Sequence, residues 1–130
     1  MSPIQPFDDD AFQRLQEHFH NPHHQGRCVN PTHSATVDNP MCGDWVRLEI
    51  RVSPDQIVAE AWFEAGGCVL SRAAASLLAE YVEGKQLHDI AAIRPELMLD
   101  LVAIRLSPRR MNCALLALCA LRDSLRANFP

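Results

Sequence analysis

Apolar and polar residues alternate most clearly in the middle of the chain. Two rows of alternating apolar positions occur between residues 45 and 64, first Val46, Leu48, Ile50 and Val52, then Ile57, Ala59, Ala61 and Phe63. A period of two is typical of a β-strand that is buried on one face. Between the two rows, Ser53-Pro54-Asp55 has the composition of a turn. The pattern therefore predicts an antiparallel hairpin over residues 45–64.

The region before the hairpin predicts one helix and a loop. Phe12, Leu15 and Phe19 are spaced so that they share one face of a helix, which Asp8 to Asp10 can cap and Asn21-Pro22 ends. From residue 20 to residue 41 the sequence is polar and has no sustained period. We expect mostly loop there, with a short strand around residues 36–37.

Helical spacing dominates the region after the hairpin. The segment from Cys68 to Gly84 predicts a helix, because its apolar residues recur every three or four positions. Two short helices are expected at residues 87–93 and 96–102. Ser107 and Pro108 have the order of a cap and a first helical residue, and they open a last helix. Together these elements predict an α+β fold, with a small antiparallel β-sheet packed against several helices.

Length and composition limit the classes of protein to which this chain can belong. The chain has 130 residues, which fits one domain spanning 1–130. Its formal net charge is −4 and it has no basic block, so we expect no nucleic-acid partner. The apolar runs are too short to span a membrane, and the first ten residues lack the pattern of a secretory signal. These features predict a cytoplasmic protein.

Cysteine is the residue type with the clearest chemical implication. The chain has five cysteines, and in a reducing compartment such a small protein more often binds metal or handles sulfur than forms disulfides. Cys42 precedes the hairpin and Cys68 follows it, so both should lie at the same end of the hairpin, together with Asp44.

Cys113 is expected in the first two turns of the last helix. If that helix begins near the same end of the hairpin, three thiols and a carboxylate converge, a set that suits tetrahedral zinc or a small iron-sulfur cluster. The other interpretation is that these thiols pack as small hydrophobic side chains.

Several ordered motifs resemble one protein family. Residues 38–44, with the sequence DNPMCGD, look like the N-P-x-C-G-D signature of NifU/IscU/SufU-type iron-sulfur cluster assembly scaffolds. Residues 67–76 fit G-C-x-x-S-x-A-x-A-S, residues 84–85 fit the following G-K, and residues 108–113 fit P-x-R-[IM]-x-C. Residues 18–26 are similar to the H-Y-x-N-P-x-N-x-G that opens the family's domain. The resemblance covers nearly the whole chain.

This resemblance implies a function and a site. Such a scaffold accepts persulfide sulfur from a pyridoxal-phosphate-dependent cysteine desulfurase, assembles a [2Fe-2S] cluster and passes it to recipient apo-proteins. The motifs carry Cys42, Asp44, Cys68 and Cys113 over as ligands of the cluster or of Zn²⁺. Because Cys42 is expected on a flexible loop beside Gly43, we expect it to be the sulfur acceptor. The resemblance implies a scaffold or persulfide acceptor rather than an independent enzyme. Its alternative within the family is a zinc-dependent sulfurtransferase partner that relays persulfide without building clusters.

The chain departs from the family pattern at three places. Asn112 stands where IscU-type proteins have a histidine before the third cysteine. Residues 106–110 keep only part of the L-P-P-V-K stretch that binds a chaperone, which argues against a dedicated Hsp70-type partner. The segment between Gly84 and Leu106 is short, as in IscU-type proteins, whereas SufU-type proteins have a longer one.

A function from another class uses the same thiols differently. In a cysteine hydrolase, Cys68 or Cys113 would be the nucleophile and His88 the base. No local sequence signature around His88 supports this hypothesis. A purely structural interaction module is a further alternative.

Other residues have ordinary structural interpretations. Cys119 is expected in the core, Cys28 exposed in the loop, and the histidines between His18 and His24 in solvent. Trp45 and Trp62 should pack beneath a helix or form a partner surface. Arg110 is expected to pair with a carboxylate, screen the thiolates or be solvated, and Ser71 and Ser76 to form hydrogen bonds within their own helix.

Overall fold

An antiparallel sheet brings distant parts of the chain to one edge. A computed structural model describes residues 9–127, and its strands β1 (His33–Asn39), β2 (Asp44–Val52) and β3 (Val58–Gly66) lie in the order β1-β2-β3. Asn39 pairs with Asp44, and Trp45 pairs with Gly66. The turn between β1 and β2 therefore lies beside the end of β3.

The predicted hairpin is confirmed, but its second row of buried residues is shifted. A register shift occurs between Arg51 and Val52, where Val52 pairs with Val58 and Arg51 pairs with Glu60. Ala59 is the extra residue of this irregularity, so Val58 is buried and Ala59 is exposed. The strand expected around residues 36–37 is also longer than predicted, because β2 supplies hydrogen-bond partners to a sequence that is mostly polar.

Five helices complete the described part of the chain and agree with the predicted ones. They are α1 (Asp9–His20), α2 (Val69–Val82), α3 (Leu87–Ala91), α4 (Pro95–Val102) and α5 (Pro108–Ala127). Leu15 of α1 is buried as expected, whereas Phe12 is 43% exposed. The Asp8 part of the predicted cap lies outside the described residues. The α+β fold is thus confirmed.

Helices α2 and α5 cover one face of the sheet. Helix α5 packs across β1 and β2, α2 packs against β3, and α1 packs on α2. The buried sheet residues Val46, Leu48, Ile50, Ala61 and Phe63 lie in one core with the small side chains of Ala73, Ala74 and Ala75. Small residues on α2 allow the helix backbone to approach the sheet closely.

The segment between α1 and β1 covers residues of the other face. The ring of His24 stacks on that of Trp62 with centroids 4.4 Å apart, and the backbone of His24 and Gly26 hydrogen-bonds to Phe63. Trp62 thus packs beneath a loop rather than a helix. Cys28, expected to be exposed, is buried because its N–H donates to the buried carboxylate of Glu49 at 3.0 Å.

The prediction that Cys119 is a core thiol is wrong. Cys119 is exposed on α5, in line with the exposed residues Asn112, Arg122 and Arg126. The apolar neighbours of Cys119 in sequence face the core, whereas residues three and seven positions away lie on its own face of the helix. No helix in the described part of the chain is long and apolar enough to cross a membrane.

A substitution at Gly67, between β3 and α2, tests how tightly this junction is built. Gly67 has φ +96°, and a Cβ there would lie 2.6 Å from Asp44 Oδ1 and 3.0 Å from Asp44 Cα. Gly84, after α2, has φ +83°, and no atom beyond its two neighbours in the chain would lie within 4 Å of its Cβ. We expect Gly84→Ala to lower the free energy of unfolding by about 1–2 kcal/mol through backbone strain. Gly67→Ala should cost about 1–3 kcal/mol more through the clash.

Urea unfolding of both variants measures this difference. Equal losses of stability in Gly67→Ala and Gly84→Ala would show that the junction accommodates the added methyl group without a clash.

Candidate metal centre

Asn39 builds the turn that carries the first cysteine. Its backbone carbonyl accepts hydrogen bonds from the N–H of Cys42 at 3.1 Å and of Gly43 at 2.8 Å. Its side-chain oxygen accepts from the N–H of Met41 at 3.1 Å. The turn presents Cys42, which is half-buried, and ends at Asp44, the first residue of β2.

Asp44 joins the start of β2 to the start of α2. Its carboxylate is buried, with Oδ1 accepting from the Cys68 N–H at 3.1 Å and Oδ2 accepting from the Ser71 hydroxyl at 2.7 Å. A negative charge at a helix N-terminus is favourable, because free N–H groups and the helix dipole face it. Ser71 is also 3.3 Å from the Cys113 carbonyl, so the expectation that it bonds only within its helix is wrong.

Cys68 is the N-cap residue of α2, at the predicted junction between strand and helix. Its backbone is extended, and its sulfur accepts a hydrogen bond from the Leu70 N–H at 3.3 Å. A cap accepts a hydrogen bond from an N–H that the helix leaves unpaired. The Cys68 sulfur is therefore held at the helix end beside Asp44.

Cys113 completes a convergent group of ligand atoms. It lies in the second turn of α5 and is buried, and the ligand atoms of Asp44, Cys68 and Cys113 all lie within 4.8 Å of one another. Helix α5 therefore docks as the predicted site requires. Cys42 does not belong to this tight group, but it lines the same cleft.

The group lies in a cleft of about 810 Å³ between α1 and the thiols. One wall is apolar and includes Phe12, Leu15 and Phe19 of α1, and Arg109 and Arg110 of α5 lie on the thiol side. The cleft gives a ligand or a partner's side chain access to the half-buried sulfurs of Cys42 and Cys68.

Burial, together with neighbouring acidic groups, keeps Cys113 protonated. Burial raises the pKa of Cys113 to about 12, and its hydrogen bond with Asp44 and the charge on Cys68 act in the same direction. A bound cation reverses this effect, because metal ligands must be deprotonated and the positive charge favours thiolate. Soft sulfur donors with one carboxylate suit iron and zinc. The donor set therefore fits the metals that the sequence predicts.

Arg109 is a site residue that the sequence analysis missed. Its guanidinium group lies near the thiol of Cys42, and the interaction with that thiol raises the pKa of Arg109. The side chain of Arg110, the arginine singled out from the motif, is exposed on the cleft and forms no ion pair with any residue in the range 9–127. The two arginines are adjacent at the start of α5, and the helix directs their side chains differently. The sequence alone therefore does not show which of them lies near Cys42.

His88 does not reach the thiols. It is exposed on α3, its Nε2 lies 3.1 Å from Asp89 Oδ1, and it is not among the residues that line the cleft. The hydrolase arrangement with Cys68 or Cys113 as the nucleophile therefore has no base from His88.

The prediction of solvated histidines is wrong for His18, His23 and His24, which are all half-buried. The hydroxyl of Ser76 lies 2.7 Å from His18 Nδ1 and accepts a hydrogen bond from the His23 N–H at 2.7 Å. Ser76 thus binds the segment after α1 rather than its own helix. Burial lowers the pKa of His18.

Comparisons with known proteins agree with the motifs and the fold. The profile of the NifU-like N-terminal domain matches residues 11–129. The iron-sulfur cluster assembly scaffold protein IscU of Escherichia coli K12 is 30% identical over 116 residues, which cover 87% of this chain and 89% of that protein. The similarity between the two sequences covers most of both chains and is therefore not limited to the quoted motifs.

Solved structures have the same fold. The N-terminal part of a NifU-like protein from Brucella abortus superposes with a TM-score of 0.71 at 25% identity, covering 92% of this chain and 95% of that one. A candidate iron-sulfur cluster scaffold for the SUF system from Fervidobacterium islandicum AW-1 has a TM-score of 0.69 at 18% identity, covering 92% and 96%.

Burial and charge predict different reactivities for the cysteines in the metal-free protein. Iodoacetamide attacks thiolate, so Cys119, which is exposed, should react first. Cys113 should react last, by about a hundredfold or more at a pH of about 8, because it is buried and its pKa is raised to about 12. Its rate should increase with pH up to that value.

Mass spectrometry of quenched samples measures the rate at each cysteine, and Cys119→Ser identifies the fast component. Alkylation of Cys113 as fast as that of Cys119 would contradict the described environment.

Proposed function

The chain belongs to the NifU-like N-terminal domain family, and from this premise we propose that it is a scaffold for iron-sulfur cluster assembly. The observation that carries the proposal is the convergence of Asp44, Cys68 and Cys113, with ligand atoms within 4.8 Å of one another, in a cleft that Cys42 also lines. The cluster is the cargo of this protein, built on the site and then released to apo-proteins.

The donor set supports temporary binding of the cargo. Three thiolates, from Cys42, Cys68 and Cys113, hold iron strongly, whereas the carboxylate of Asp44 is a harder and more easily exchanged ligand. The Asp44 oxygens also accept hydrogen bonds from Cys68 and Ser71, which compete with a metal for the same lone pairs. A cluster held by this set can be transferred.

Cys42 is the proposed acceptor of sulfur from a pyridoxal-phosphate-dependent cysteine desulfurase. Its thiolate attacks the terminal sulfur of the desulfurase persulfide, a new S–S bond forms on Cys42, and the desulfurase cysteine leaves as thiolate. Cys42 suits this role because it is half-buried on a turn and contacts the guanidinium of Arg109. The reaction needs reduced thiols, so we place the protein in the cytoplasm.

A second candidate function is a zinc-dependent persulfide relay without cluster assembly. The observation that favours it is the separation of Cys42 from the tight group of Asp44, Cys68 and Cys113. Zinc bound by those three residues would leave Cys42 as the ligand most easily exchanged, free to accept and pass on sulfur.

Anaerobic reconstitution distinguishes the two functions. The purified protein is incubated with iron, sulfide and reductant, and its metal content and visible spectrum are recorded. A stable [2Fe-2S] spectrum that Cys68→Ser loses and the control Cys119→Ser keeps supports the scaffold. Retained zinc together with faster desulfurase turnover supports the relay. A protein that binds neither metal, with no change in the Cys68→Ser variant, excludes both.

Asp44→Ala tests the two proposed roles of this carboxylate, as an exchangeable ligand of the cluster and as a hydrogen-bond acceptor that stabilises the fold. Removal of the exchangeable ligand should make a bound cluster more persistent. The same change should lower the free energy of unfolding by about 1–3 kcal/mol, because the Cys68 N–H and the Ser71 hydroxyl lose their acceptor.

Ser71→Ala is the matched control, since it removes one of these hydrogen bonds and keeps the carboxylate. It should lower stability without prolonging the life of the cluster. The decay of the visible spectrum under a chelator gives the lifetime, and a faster decay in Asp44→Ala than in the wild type argues against Asp44 as a labile ligand.

Arg109→Ala should slow sulfur acceptance by Cys42. The guanidinium stabilises negative charge on that sulfur, and an exposed pair of this kind is worth about two- to fivefold in rate. Arg110→Ala, which removes the neighbouring exposed arginine, should have little effect, and Arg109→Lys should retain part of the rate. Mass spectrometry of the Cys42 persulfide after a single desulfurase turnover measures the rate. Equal rates in Arg109→Ala and Arg110→Ala would rule out this role.

A further inference from the structure

A second group of metal-binding side chains lies at the opposite end of α2 from the thiols. It comprises His23 and His24, in the segment after α1, and Glu83, which follows the last residue of α2. Helix α2 has 14 residues, so the two groups are separated by about 20 Å along its axis. The second group therefore shares no ligand with the thiol site.

The carboxylate of Glu83 lies between the two imidazole rings. Its Oε1 is 2.6 Å from His23 Nε2, and its Oε2 is 2.7 Å from His24 Nδ1. The ligand atoms of the three residues all lie within 4.8 Å of one another. Two nitrogens and a carboxylate oxygen thus converge on one small volume from two distant parts of the chain.

Each of the three residues is held in position by a contact of its own. The His24 ring stacks on Trp62, with centroids 4.4 Å apart and planes 9° apart. The backbone N–H of His23 donates to the Ser76 hydroxyl at 2.7 Å, and Glu83 Oε2 accepts from the Ala61 N–H at 2.9 Å. Side chains fixed in advance lose little conformational entropy when a metal binds.

The surroundings of the group favour a cation. Glu80 Oε2 lies 4.0 Å from His23 Nδ1, the nitrogen that would not bind the metal, and its carboxylate adds negative charge beside the group. A polar depression of about 620 Å³ opens beside the two histidines and is also lined by Glu17 and Glu80. The negative potential and the depression give a cation a path to the group.

We propose that His23, His24 and Glu83 form a binding site for a divalent transition metal ion, with Zn²⁺ as the best-matched ion. Two imidazoles and one carboxylate are a donor set for zinc and its neighbours, whereas Mg²⁺ and Ca²⁺ prefer oxygen donors alone. Tetrahedral zinc, with bonds of about 2.0–2.1 Å, separates its ligands by about 3.3 Å. Binding therefore widens each imidazole–carboxylate contact by about 0.6–0.7 Å, and the metal takes the place of the protons in these two contacts.

His24 is the residue that sets this chain apart from the motif it resembles. In the H-Y-x-N-P-x-N-x-G pattern, the position of His24 is an asparagine, and that of His23 is variable. The site therefore belongs to this chain rather than to the motif. The substitution His24→Asn restores the motif residue and is the variant least expected to disturb the fold.

Zinc titration against a chromogenic chelator tests the proposal. The wild type should bind two Zn²⁺ per chain, one at the thiols and one at the histidines, whereas His24→Asn and Glu83→Gln should each bind one. The control His88→Asn removes an exposed histidine that also lies beside a carboxylate, and it should keep both ions.

Cobalt spectroscopy of the wild type gives an answer that does not depend on any variant. The second equivalent of Co²⁺ should produce ligand-field bands without the sulfur-to-metal charge-transfer bands that thiolate ligands add. Thermal unfolding without metal compares the folding of each variant with the wild type.

The proposal is overturned if the wild type and His24→Asn bind the same number of zinc ions. It is also overturned if every Co²⁺ equivalent that binds carries the thiolate bands. Loss of stability in Glu83→Gln with no loss of a metal ion would mean that the three side chains form only a hydrogen-bonded clamp between the segment after α1 and the end of α2.

Discussion

The carboxylate of Asp44 is the interaction on which the thiol site depends. It is buried at the first residue of β2, and it binds the backbone of Cys68 and the hydroxyl of Ser71 in the first turn of α2. A buried carboxylate must be satisfied by donors, and the start of a helix offers them. This requirement holds the strand and the helix together and excludes a side chain at Gly67. Cys68 and Cys113 are therefore positioned by the same hydrogen bonds that join the sheet to α2.

The metal binding that we propose for this site is consequently coupled to folding. The fold buries Cys113 and brings it close to Asp44 and Cys68, and as a result the Cys113 thiol resists ionisation. A cation removes that penalty when it binds, so affinity for metal and stability of the protein reinforce each other. The fold alone brings Asp44, Cys68 and Cys113 together, whereas Cys42 lines the same cleft outside this group.

The sequence predicted the parts of the site that depend on local periodicity. The alternation of β2 and the break before α2 were enough to put Cys42 and Cys68 at one end of the hairpin. The docking of α5 depends on packing between distant segments, so the position of Cys113 followed only from the motifs. The apolar neighbours of Cys119 in sequence suggested that it is buried, whereas it lies on the face of α5 that is exposed to solvent.

Polarity misled the sequence analysis in the segment after α1. Its polar composition suggested a solvated loop, but the segment packs on the sheet, because Glu49, Glu83 and Ser76 supply partners for its backbone and histidines. Such partners come from residues between 21 and 60 positions away. No local pattern of hydrophobic and polar residues records contacts of that kind.

The outer strands of the sheet limit self-association. The backbone of residues 24–26 binds the middle of β3, and Gly84 and Lys85 bind its first residue, so this edge already has partners. Strand β1 is the other edge; Pro31 and Pro40 flank it, and its outward side chains are Ser34, Thr36 and Asp38. Prolines and a charge discourage a foreign strand from extending the sheet. A protein with an open cleft lined by thiols is thus protected against growth through strand pairing.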